Sequence, residues 1–338
     1  MNVQNSFSLL PFNTFHAEVK AKYFFEAKST ADLLELLTPT FCKTERFLIL
    51  GGGSNILFTQ DVDGWVIRMA TSGKELVKED EEFAYVKAQA GEEWHSFVLY
   101  SIAQGWQGLE NLSLIPGTVG ASPIQNIGAY GVELKDVFEE LEALNTQTGK
   151  VETFGKEDCQ FAYRNSFFKR QPRGNYIILN VTFKLCKKPQ FNTSYGAIAQ
   201  ELGKMGVETL SPKAISDAVI SIRESKLPDP AEIGNCGSFF KNPEIPSAQY
   251  DAVKKAHPTA PGYKLDGGLV KVPAGWLIEQ CGWKGKKVGN VGAFEKQALV
   301  IVNHGNATGQ EAKDLALAIQ ASVLERFGVE IIPEVNII

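Results

Sequence analysis

Residues 51–55 read Gly-Gly-Gly-Ser-Asn, a combination that could bind an anion. Successive glycines allow backbone N–H groups to converge on a phosphate, and Ser54 and Asn55 add side-chain donors. The pattern lacks the glycine that opens a helix in a dinucleotide fingerprint and the Gly-Lys-Ser/Thr of a Walker A loop. A pyrophosphate held by a strand–loop–strand element is therefore one interpretation, and a simple tight turn is the alternative.

A second glycine-rich segment, residues 115–131, carries four glycines among small, amide and apolar residues and almost no charge. Solvated flexible loops are rarely so poor in charge. Backbone lying against a planar ligand or a diphosphate would explain it, with directed hydrogen bonds from Ser122, Gln125 and Asn126. The alternative is an internal Ω-type loop packed on its own side chains.

Composition narrows the function classes. The chain has 338 residues, with 34 Lys plus Arg against 39 Asp plus Glu and a formal charge of -5, so nucleic acid is not expected as a partner. No apolar stretch approaches the roughly 20 residues of a membrane helix, and membrane insertion is not expected. The five cysteines are scattered and form no Cys-x-x-Cys pair, which favours reduced thiols, a cytoplasmic location and no metal site.

Short strands and capped helices are predicted to position the two glycine-rich segments, and strand outweighs helix up to about residue 188. Soft domain boundaries are placed near residues 75 and 222. The main predicted elements are helices at 29–37, 92–104, 211–224 and 309–327, strands at 46–50, 65–69, 84–88, 176–185 and 298–302, a hairpin at 141–154, and a closing strand at 329–337.

Further motifs follow in a fixed order: Tyr-Arg-Asn-Ser-Phe-Phe at 163–168, Lys-Leu-Pro-Asp-Pro at 226–230, and segments 234–243, 274–278 and 333–335. Together with the two glycine-rich segments, this series resembles the UDP-N-acetylenolpyruvoylglucosamine reductase family over nearly the whole chain. The resemblance implies an α+β protein with a two-part FAD-binding fold of the vanillyl-alcohol-oxidase type and a smaller α+β substrate-binding domain. The implied domains are FAD-binding subdomain 1 (1–75, completed by the C-terminal strand 329–338), FAD-binding subdomain 2 (76–222) and the substrate-binding domain (223–328).

The implied activity is the reduction of UDP-N-acetylglucosamine enolpyruvate to UDP-N-acetylmuramate, a step of peptidoglycan precursor synthesis. In the family, hydride passes from NADPH to non-covalently bound FAD, and from flavin N5 to the enolpyruvyl double bond. The resemblance also implies a cytoplasmic monomer of the family's first type, in which Tyr195 lies on a mobile tyrosine loop.

Three catalytic residues are implied by the resemblance. Hydride addition builds negative charge on the carbon beside the substrate carboxylate, so the site must supply a cation or donors and then a proton. Arg164 matches the family's active-site arginine and Ser238 its proton donor. Glu334 matches the third position, and beside a developing carbanion it must be either protonated or neutralised by a cation, which the sequence leaves open.

The remaining site residues are implied in the same way. On the cofactor these are Gly51, Gly52, Gly53, Ser54, Asn55, Ser122, Pro123, Gln125, Asn126, Gly128 and Arg223. On the substrate they are Tyr130, Tyr195, Lys226 and Asn242. Cys236 stands where alanine is common, and we interpret it as a small core residue because no histidine lies near it in sequence.

Two other functions remain open at this point. An oxidase with the same flavin fold would carry FAD covalently on His or Cys and would not respond to UDP-sugars. A catalytically silent nucleotide-sugar binding protein would bind UDP ligands and be colourless. A visible spectrum before and after acid precipitation would separate the three hypotheses.

Overall fold

The computed structural model describes residues 2–188 and 190–338. They fold into two compact units, each built from several stretches of chain. Unit 1 contains the described residues up to Phe7, Ala21–Gly52 and Val62–Ser225; unit 2 contains Ser8–Lys20, Gly53–Asp61 and Lys226–Ile338.

The strands are short, apart from a few of six residues or more. In chain order they are β1 (Gln4–Ser8), β2 (Lys20–Ala27), β3 (Phe47–Leu50), β4 (Ile56–Leu57), β5 (Val62–Met69), β6 (Lys74–Glu79), β7 (Phe83–Gln89), β8 (Gly128–Ala129), β9 (Val132–Glu133), β10 (Phe138–Asn145), β11 (Lys150–Gly155), β12 (Tyr176–Cys186), β13 (Gly234–Ser238), β14 (Glu244–Pro246), β15 (Tyr263–Lys264), β16 (Leu269–Lys271), β17 (Lys287–Val288), β18 (Val291–Ala293), β19 (Val300–Asn303) and β20 (Asn336–Ile337). The α-helices are α1 (Thr30–Leu36), α2 (Pro39–Thr44), α3 (Trp94–Ala103), α4 (Phe167–Arg170), α5 (Gly196–Lys204), α6 (Pro212–Lys226), α7 (Ser247–Ala256), α8 (Ala274–Gln280) and α9 (Gly309–Phe327).

Unit 1 is organised around two sheets. The first has strand order β1-β2-β5-β3, in which β2 and β3 both run parallel to β5. Its apolar face includes Phe25 and Ile67 and packs with Leu33 of α1, a helix that begins with a capping box between Ser29 and Asp32. This sheet leads directly into the first glycine-rich loop, because β3 ends at Leu50.

The second sheet of unit 1 is antiparallel, with strand order β11-β10-β12-β7-β6. Helix α3 packs on it through Trp94 and Phe97, whose rings lie 5.9 and 4.8 Å from that of Phe183. All three side chains are almost completely buried. This core anchors the N-terminal side of the segment 115–131, since the Trp94 indole donates to the carbonyl of Leu112 at 2.9 Å.

Unit 2 has a sheet with strand order β13-β19-β18-β17 and the long helix α9. Every residue of β19 is buried, and α9 buries an apolar stripe that includes Leu315, Ile319 and Val323. A capping box between Thr308 and Glu311 fixes the start of α9, and Gly328 in the left-handed conformation ends it. A second pairing, β20 parallel to β4, ties the C-terminus to the strand that follows the first glycine-rich loop.

Most of the predicted elements are confirmed, including α9 at its predicted bounds and the hairpin β10–β11. The predicted closing strand at 329–337 is wrong in extent, because only Asn336–Ile337 is a strand. The segment divides its backbone pairing: Ile332 and Glu334 bond to the chain just after β13, whereas Asn336 and Ile338 bond to the chain around β4. The predicted domain boundaries near residues 75 and 222 stay predictions.

Among the helices of residues 2–188 and 190–338, none is both long enough and apolar enough to span a membrane. The same residues contain no cluster of three or more His, Cys, Asp or Glu side chains arranged to hold a metal ion.

Candidate active site

The two glycine-rich segments touch each other in unit 1. A Cβ at Gly51 would lie 2.6 Å from the hydroxyl oxygen of Thr118, and one at Gly52 would lie 2.9 Å from the Cα of Gly117. At Gly52 the neighbour is backbone, and only glycine allows backbone to approach backbone this closely. The packing of one loop on the other therefore requires glycine at position 52, whereas at Gly51 the neighbour is the end of a side chain.

In unit 2, the rest of the first loop is held by the chain around it. Gly53 is left-handed, with φ 66°, and its carbonyl accepts the backbone N–H of Thr14 at 3.1 Å. Ser54 is half-buried. The carbonyl of Asn55 accepts the side-chain amide of Asn336 at 3.0 Å and its backbone N–H at 3.1 Å. Asn55 thus fixes the C-terminal segment, a role the sequence analysis did not predict.

The polar side chains of residues 115–131 that were predicted to contact a ligand have hydrogen-bond partners within the protein. The Ser122 hydroxyl donates to the carbonyl of Val119 at 2.7 Å. The buried Asn126 donates to Glu133 at 2.9 Å and accepts the N–H of Lys135 at 3.1 Å. The Ser122 bond fits the packed-loop interpretation, whereas Asn126 joins the loop to the chain that follows it and, through a further bond of 3.2 Å, to the carbonyl of Ala162.

The other predicted cofactor residues of this segment are close by. Pro123 is buried, and the side-chain oxygen of Gln125 accepts the ammonium of Lys169 at 3.2 Å. The segment ends in a two-residue hairpin between β8 and β9, in which Tyr130 and Gly131 have φ of 49° and 81°. Positive φ at both central residues defines a type I′ turn, the hairpin that fits the strand twist. This turn fixes the position of the Tyr130 ring.

Arg164 lies at the tip of a second tight turn of unit 1. Ala162 and Asn165 exchange backbone hydrogen bonds of 3.0 and 3.1 Å, which leaves Tyr163 and Arg164 as the central residues. Arg164 has φ 50°, a conformation rare outside glycine that often occurs at functional sites. Its Nη2 donates to the carbonyl of Gly128 at 2.9 Å.

Arg223 on α6 adds a second guanidinium near Arg164. Burial lowers the pKa of Arg223, and the charge of Arg164 lowers it further, whereas Tyr130 opposes the shift. The Nε of Arg223 is buried without a hydrogen-bond partner among the described residues. Two adjacent cations and an orphaned buried donor form a site suited to an anionic group.

Tyr195 lies at the start of α5, with half of its surface exposed (51%). Its ring meets that of Tyr130 edge-on, with centroids 5.3 Å apart. Burial raises the pKa of Tyr130, and Arg223 opposes the shift. The phenol of Tyr130 is therefore neutral at physiological pH. Tyr130 contacts the exposed Tyr195 ring and also lies within the electrostatic influence of Arg223.

Ser238 ends β13, where the strand is irregular. The pairing with β19 changes register between Asn235 and Ser238, and Gly237 has φ 70°. The side chain of Asn235 accepts the N–H of Gly237 at 2.9 Å and so stabilises this bulge. Bulges re-aim side chains and are common beside active sites. Here Ser238 is exposed two residues after the buried Cys236.

Glu334 lies on the segment that runs beside the continuation of β13. Its backbone N–H donates to the carbonyl of Phe239 at 2.8 Å, and Phe240 pairs with Pro333. Glu334 therefore occupies a position next to the residue that follows Ser238. Two of the three catalytic residues predicted from sequence are brought together in unit 2 by this pairing.

The other two predicted substrate residues of unit 2 differ in environment. Lys226 is the last residue of α6 and is exposed. Asn242 is half-buried, and its side-chain oxygen accepts the N–H of Ala274, the first residue of α8, at 2.9 Å. Asn242 thus caps a helix that otherwise lacks a side-chain cap, because Pro273 occupies the N-cap position.

Cys236 has the predicted character of a core residue. Burial raises the pKa of its thiol far above the ordinary value, and its Sγ contacts the carbonyl of Ile56 at 3.1 Å. A thiol held neutral in this way is not a nucleophile.

Two polar residues of unit 1 that were not predicted from the sequence support the segment 115–131. The Nδ1 of His95 accepts the N–H of Leu114, a residue with φ 57°. Asn111 is buried, and its amide donates to the carbonyls of Tyr130 and Asn192 at 3.0 and 2.9 Å. Asn111 lies between Glu110 and Leu112 in a segment of mixed polar and apolar residues, so no local pattern marked it.

Comparison with known proteins identifies relatives of this chain. A family model described as "FAD binding domain" matches residues 21–155, and one described as "UDP-N-acetylenolpyruvoylglucosamine reductase, C-terminal domain" matches residues 229–338. Proteins named UDP-N-acetylenolpyruvoylglucosamine reductase from Amoebophilus asiaticus and Flavobacterium johnsoniae are 53% and 49% identical, with 100% of both chains covered. The crystal structure of a protein of that class from Thermus caldophilus has a TM-score of 0.68 at 22% identity, covering 100% of this chain and 99% of the other. The predicted FAD-binding fold of the vanillyl-alcohol-oxidase type is confirmed.

Proposed function

The chain belongs to the UDP-N-acetylenolpyruvoylglucosamine reductase family, and from this premise we propose how its residues serve the reaction. The protein is an FAD-dependent oxidoreductase that reduces UDP-N-acetylglucosamine enolpyruvate to UDP-N-acetylmuramate in peptidoglycan precursor synthesis. The identity of the hydride donor, the residues and the assembly state are the parts we propose.

The residues of unit 1 fit an FAD site. The buried Nε of Arg223, which has no hydrogen-bond partner among the described residues, and the nearby charge of Arg164 suit an anionic partner. Gly51 and Gly52 bring the first glycine-rich loop close against residues 117–118 of the second. We assign FAD to this region, bound without a covalent bond by residues 51–55, Ser122, Pro123, Gln125, Asn126, Gly128 and Arg223. When bound, FAD supplies the hydride that reduces the enolpyruvyl double bond, and NADPH is the proposed source of that hydride.

Arg164 has the proposed role of stabilising the negative charge that develops on the substrate. As hydride reaches the methylene carbon, charge accumulates on the neighbouring carbon and its carboxylate. A planar, permanently charged guanidinium matches a carboxylate that becomes enolate-like. The observation that carries this assignment is the fixed position of Arg164, whose strained turn and bond to Gly128 hold the guanidinium before substrate arrives.

Ser238 is the proposed proton donor. Its hydroxyl gives a proton to the carbon beside the carboxylate, which completes the addition of hydride and proton across the double bond. A serine hydroxyl is a weak acid, so it can protonate only a strongly basic carbon and needs its alkoxide stabilised. Glu334, on the neighbouring segment, is the proposed third catalytic residue and acts on the same proton transfer.

Tyr130, Tyr195, Lys226 and Asn242 are the proposed substrate-binding residues. The exposed Lys226 provides a point charge for the diphosphate, and the Tyr195 ring covers the ligand while its hydroxyl bonds to it. We further propose that the protein is a monomer. We also propose that it lies in the cytoplasm, since its five cysteines are free thiols, as expected in a reducing compartment.

A spectroscopic experiment tests the proposal. The purified protein should be yellow, release its flavin on acid precipitation, bleach with NADPH, and recover its colour when UDP-N-acetylglucosamine enolpyruvate is added. Flavin retained in the acid pellet would indicate the covalent oxidase instead. A colourless protein that still binds UDP would indicate the silent nucleotide-sugar binder.

A further inference from the structure

Asn111 holds two separate segments of unit 1 with one side chain. It is almost completely buried, and its amide nitrogen donates to the carbonyl of Tyr130 at 3.0 Å and to the carbonyl of Asn192 at 2.9 Å. A primary amide has two N–H donors, so both are used. The hairpin tip and the segment that leads to α5 are therefore attached to the same buried point.

Asn192 continues the connection from the other side. Its amide nitrogen donates to the carbonyl of Gly131 at 3.0 Å, so the two segments are bonded to each other as well as to Asn111. Its side-chain oxygen accepts the backbone N–H of Ser194 at 3.1 Å and the Ser194 hydroxyl at 2.6 Å. The chain direction directly before Tyr195 is thus set by the Asn192 side chain.

From these contacts we infer that Asn111 and Asn192 are positioning residues that set the place of the Tyr195 ring against Tyr130 and so determine substrate affinity. The inference rests on the proposed role of Tyr195 in substrate binding. Tyr195 is half exposed, and its ring meets that of Tyr130 edge-on. The hydrogen bonds of Asn192 set the course of the chain that carries this ring.

The two ends of this connection are not equivalent. Asn111 is rigidly placed in a short 3₁₀ turn, Glu110–Leu112, that belongs to the core of unit 1. Asn192 lies in an irregular stretch between β12 and α5. The two asparagines therefore attach the segment around Asn192, which has no secondary structure of its own, to the core of unit 1.

Asn192→Asp is the sharpest test, because aspartate has the same shape as asparagine but changes only one of the two hydrogen-bonding functions of the side chain. A carboxylate keeps the acceptor for Ser194 but loses the donor to Gly131 and repels that carbonyl. We expect the KM for UDP-N-acetylglucosamine enolpyruvate to rise about three- to tenfold, the range for one hydrogen bond, with kcat and flavin content changed less than about twofold. Asn111→Asp should act in the same direction, and Asn5→Asp, an exposed asparagine of β1, controls for the added charge.

A double-mutant cycle with Tyr195→Ala distinguishes positioning from a general structural effect. If Asn192 acts through Tyr195, Asn192→Asp should raise KM in the wild-type background and add nothing to Tyr195→Ala. A full, additive effect in the double variant, or a KM equal to that of Asn5→Asp, would overturn the inference. If Tyr195→Ala itself leaves KM unchanged, the proposed substrate role of Tyr195 fails first and the inference fails with it.

Discussion

The Nη2 of Arg164 donates to the carbonyl oxygen of Gly128 at 2.9 Å, which joins the two sequence motifs that first suggested a function. Strand β8, near the end of the glycine-rich segment, thus orients the arginine. This hydrogen bond holds the planar guanidinium in a defined direction. The position of the charge, and not only its presence, should therefore matter.

Arg164→Lys tests this point, because it keeps the charge and loses the planar fork. We expect the rate of substrate reduction to fall about 10²- to 10³-fold, as when one preorganised donor is removed, with flavin content unchanged. Stopped-flow reoxidation of the reduced enzyme by substrate measures the loss. Arg170→Lys, at an exposed arginine, is the matched control and should retain wild-type rates.

Ser238→Ala should separate the two half-reactions. Reduction of the flavin by NADPH moves no substrate proton and should be nearly unaffected, whereas reoxidation by the enolpyruvyl substrate should fall about 10²-fold or more. Ser238 is exposed at a bulge maintained by Asn235 and Gly237, so removing its hydroxyl leaves the local backbone bonds in place. Equal slowing of both half-reactions would contradict a proton-donor role.

Local signals carried most of the fold prediction. Helix α9 was predicted at its bounds from its amphipathic pattern, and the structure adds a capping box of Thr308 and Glu311 at its start and Gly328 at its end. Strands β1 and β2 were missed because nothing local marks them: β2 is stabilised by parallel pairing with β5, some 40 residues later. The closing strand was overestimated because Pro333 cannot donate to a ladder, and the segment changes partners there.

The site was predictable as a set of motifs but not as an arrangement. The sequence left open whether residues 115–131 contact a ligand or pack on themselves, and it did not indicate that Ser122 bonds Val119 or that Asn126 bonds Glu133. The left-handed conformations of Tyr130 and Arg164 carried no sequence signal, since positive φ usually marks Gly, Asn or Asp. These positions depend on tertiary contacts that no local pattern encodes.

Gly53→Ala should affect folding before it affects the cofactor. A Cβ there would overlap the backbone carbonyl of Phe12. Gly328→Ala is the matched control, since Gly328 has φ 63° against 66° for Gly53 and no atom near its Cβ position. We expect about 1–2 kcal/mol of lost stability at Gly328 from the left-handed backbone, and about 1–3 kcal/mol more at Gly53 from the overlap. Urea unfolding measures both, and equal losses would contradict the overlap.

Lys226 and Asn242 should differ in what their removal costs. Lys226→Ala should weaken UDP-sugar binding about tenfold to a hundredfold, the cost of a charge-assisted contact, without changing stability. Asn242→Ala should weaken binding and also lower stability by about 0.5–2 kcal/mol, because the N–H of Ala274 loses its cap. Asn242→Asp keeps that acceptor and should restore stability alone. Titration of the flavin spectrum with UDP, beside thermal unfolding, gives the two readouts; unchanged dissociation constants in both alanine variants would place the diphosphate elsewhere.

His95 should make the stability of the protein depend on pH. Burial lowers the pKa of His95 below its ordinary value of 6.5, with Arg223 adding to the shift and Glu93 opposing it. Its Nδ1 accepts the N–H of Leu114 at 3.0 Å, so the folded form holds the neutral ring with the proton on Nε2. As the pH falls below 6.5, the unfolded chain binds a proton that the folded chain does not, and stability is lost until the lower folded pKa is reached.

His95→Asn isolates this contribution, because the asparagine oxygen can replace Nδ1 as the acceptor and does not titrate. We expect the free energy of unfolding, measured with urea, to fall more steeply with decreasing pH in the wild-type protein than in His95→Asn, between pH 6.5 and the lower folded pKa. The two slopes should differ by at most about 1.4 kcal/mol per pH unit. Above pH 6.5 the difference in slope should vanish. His95→Ala should instead be less stable at every pH, since it leaves the N–H of Leu114 without its acceptor. A slope in His95→Asn identical to that of the wild-type protein would show that His95 titrates alike in both states and would refute the prediction.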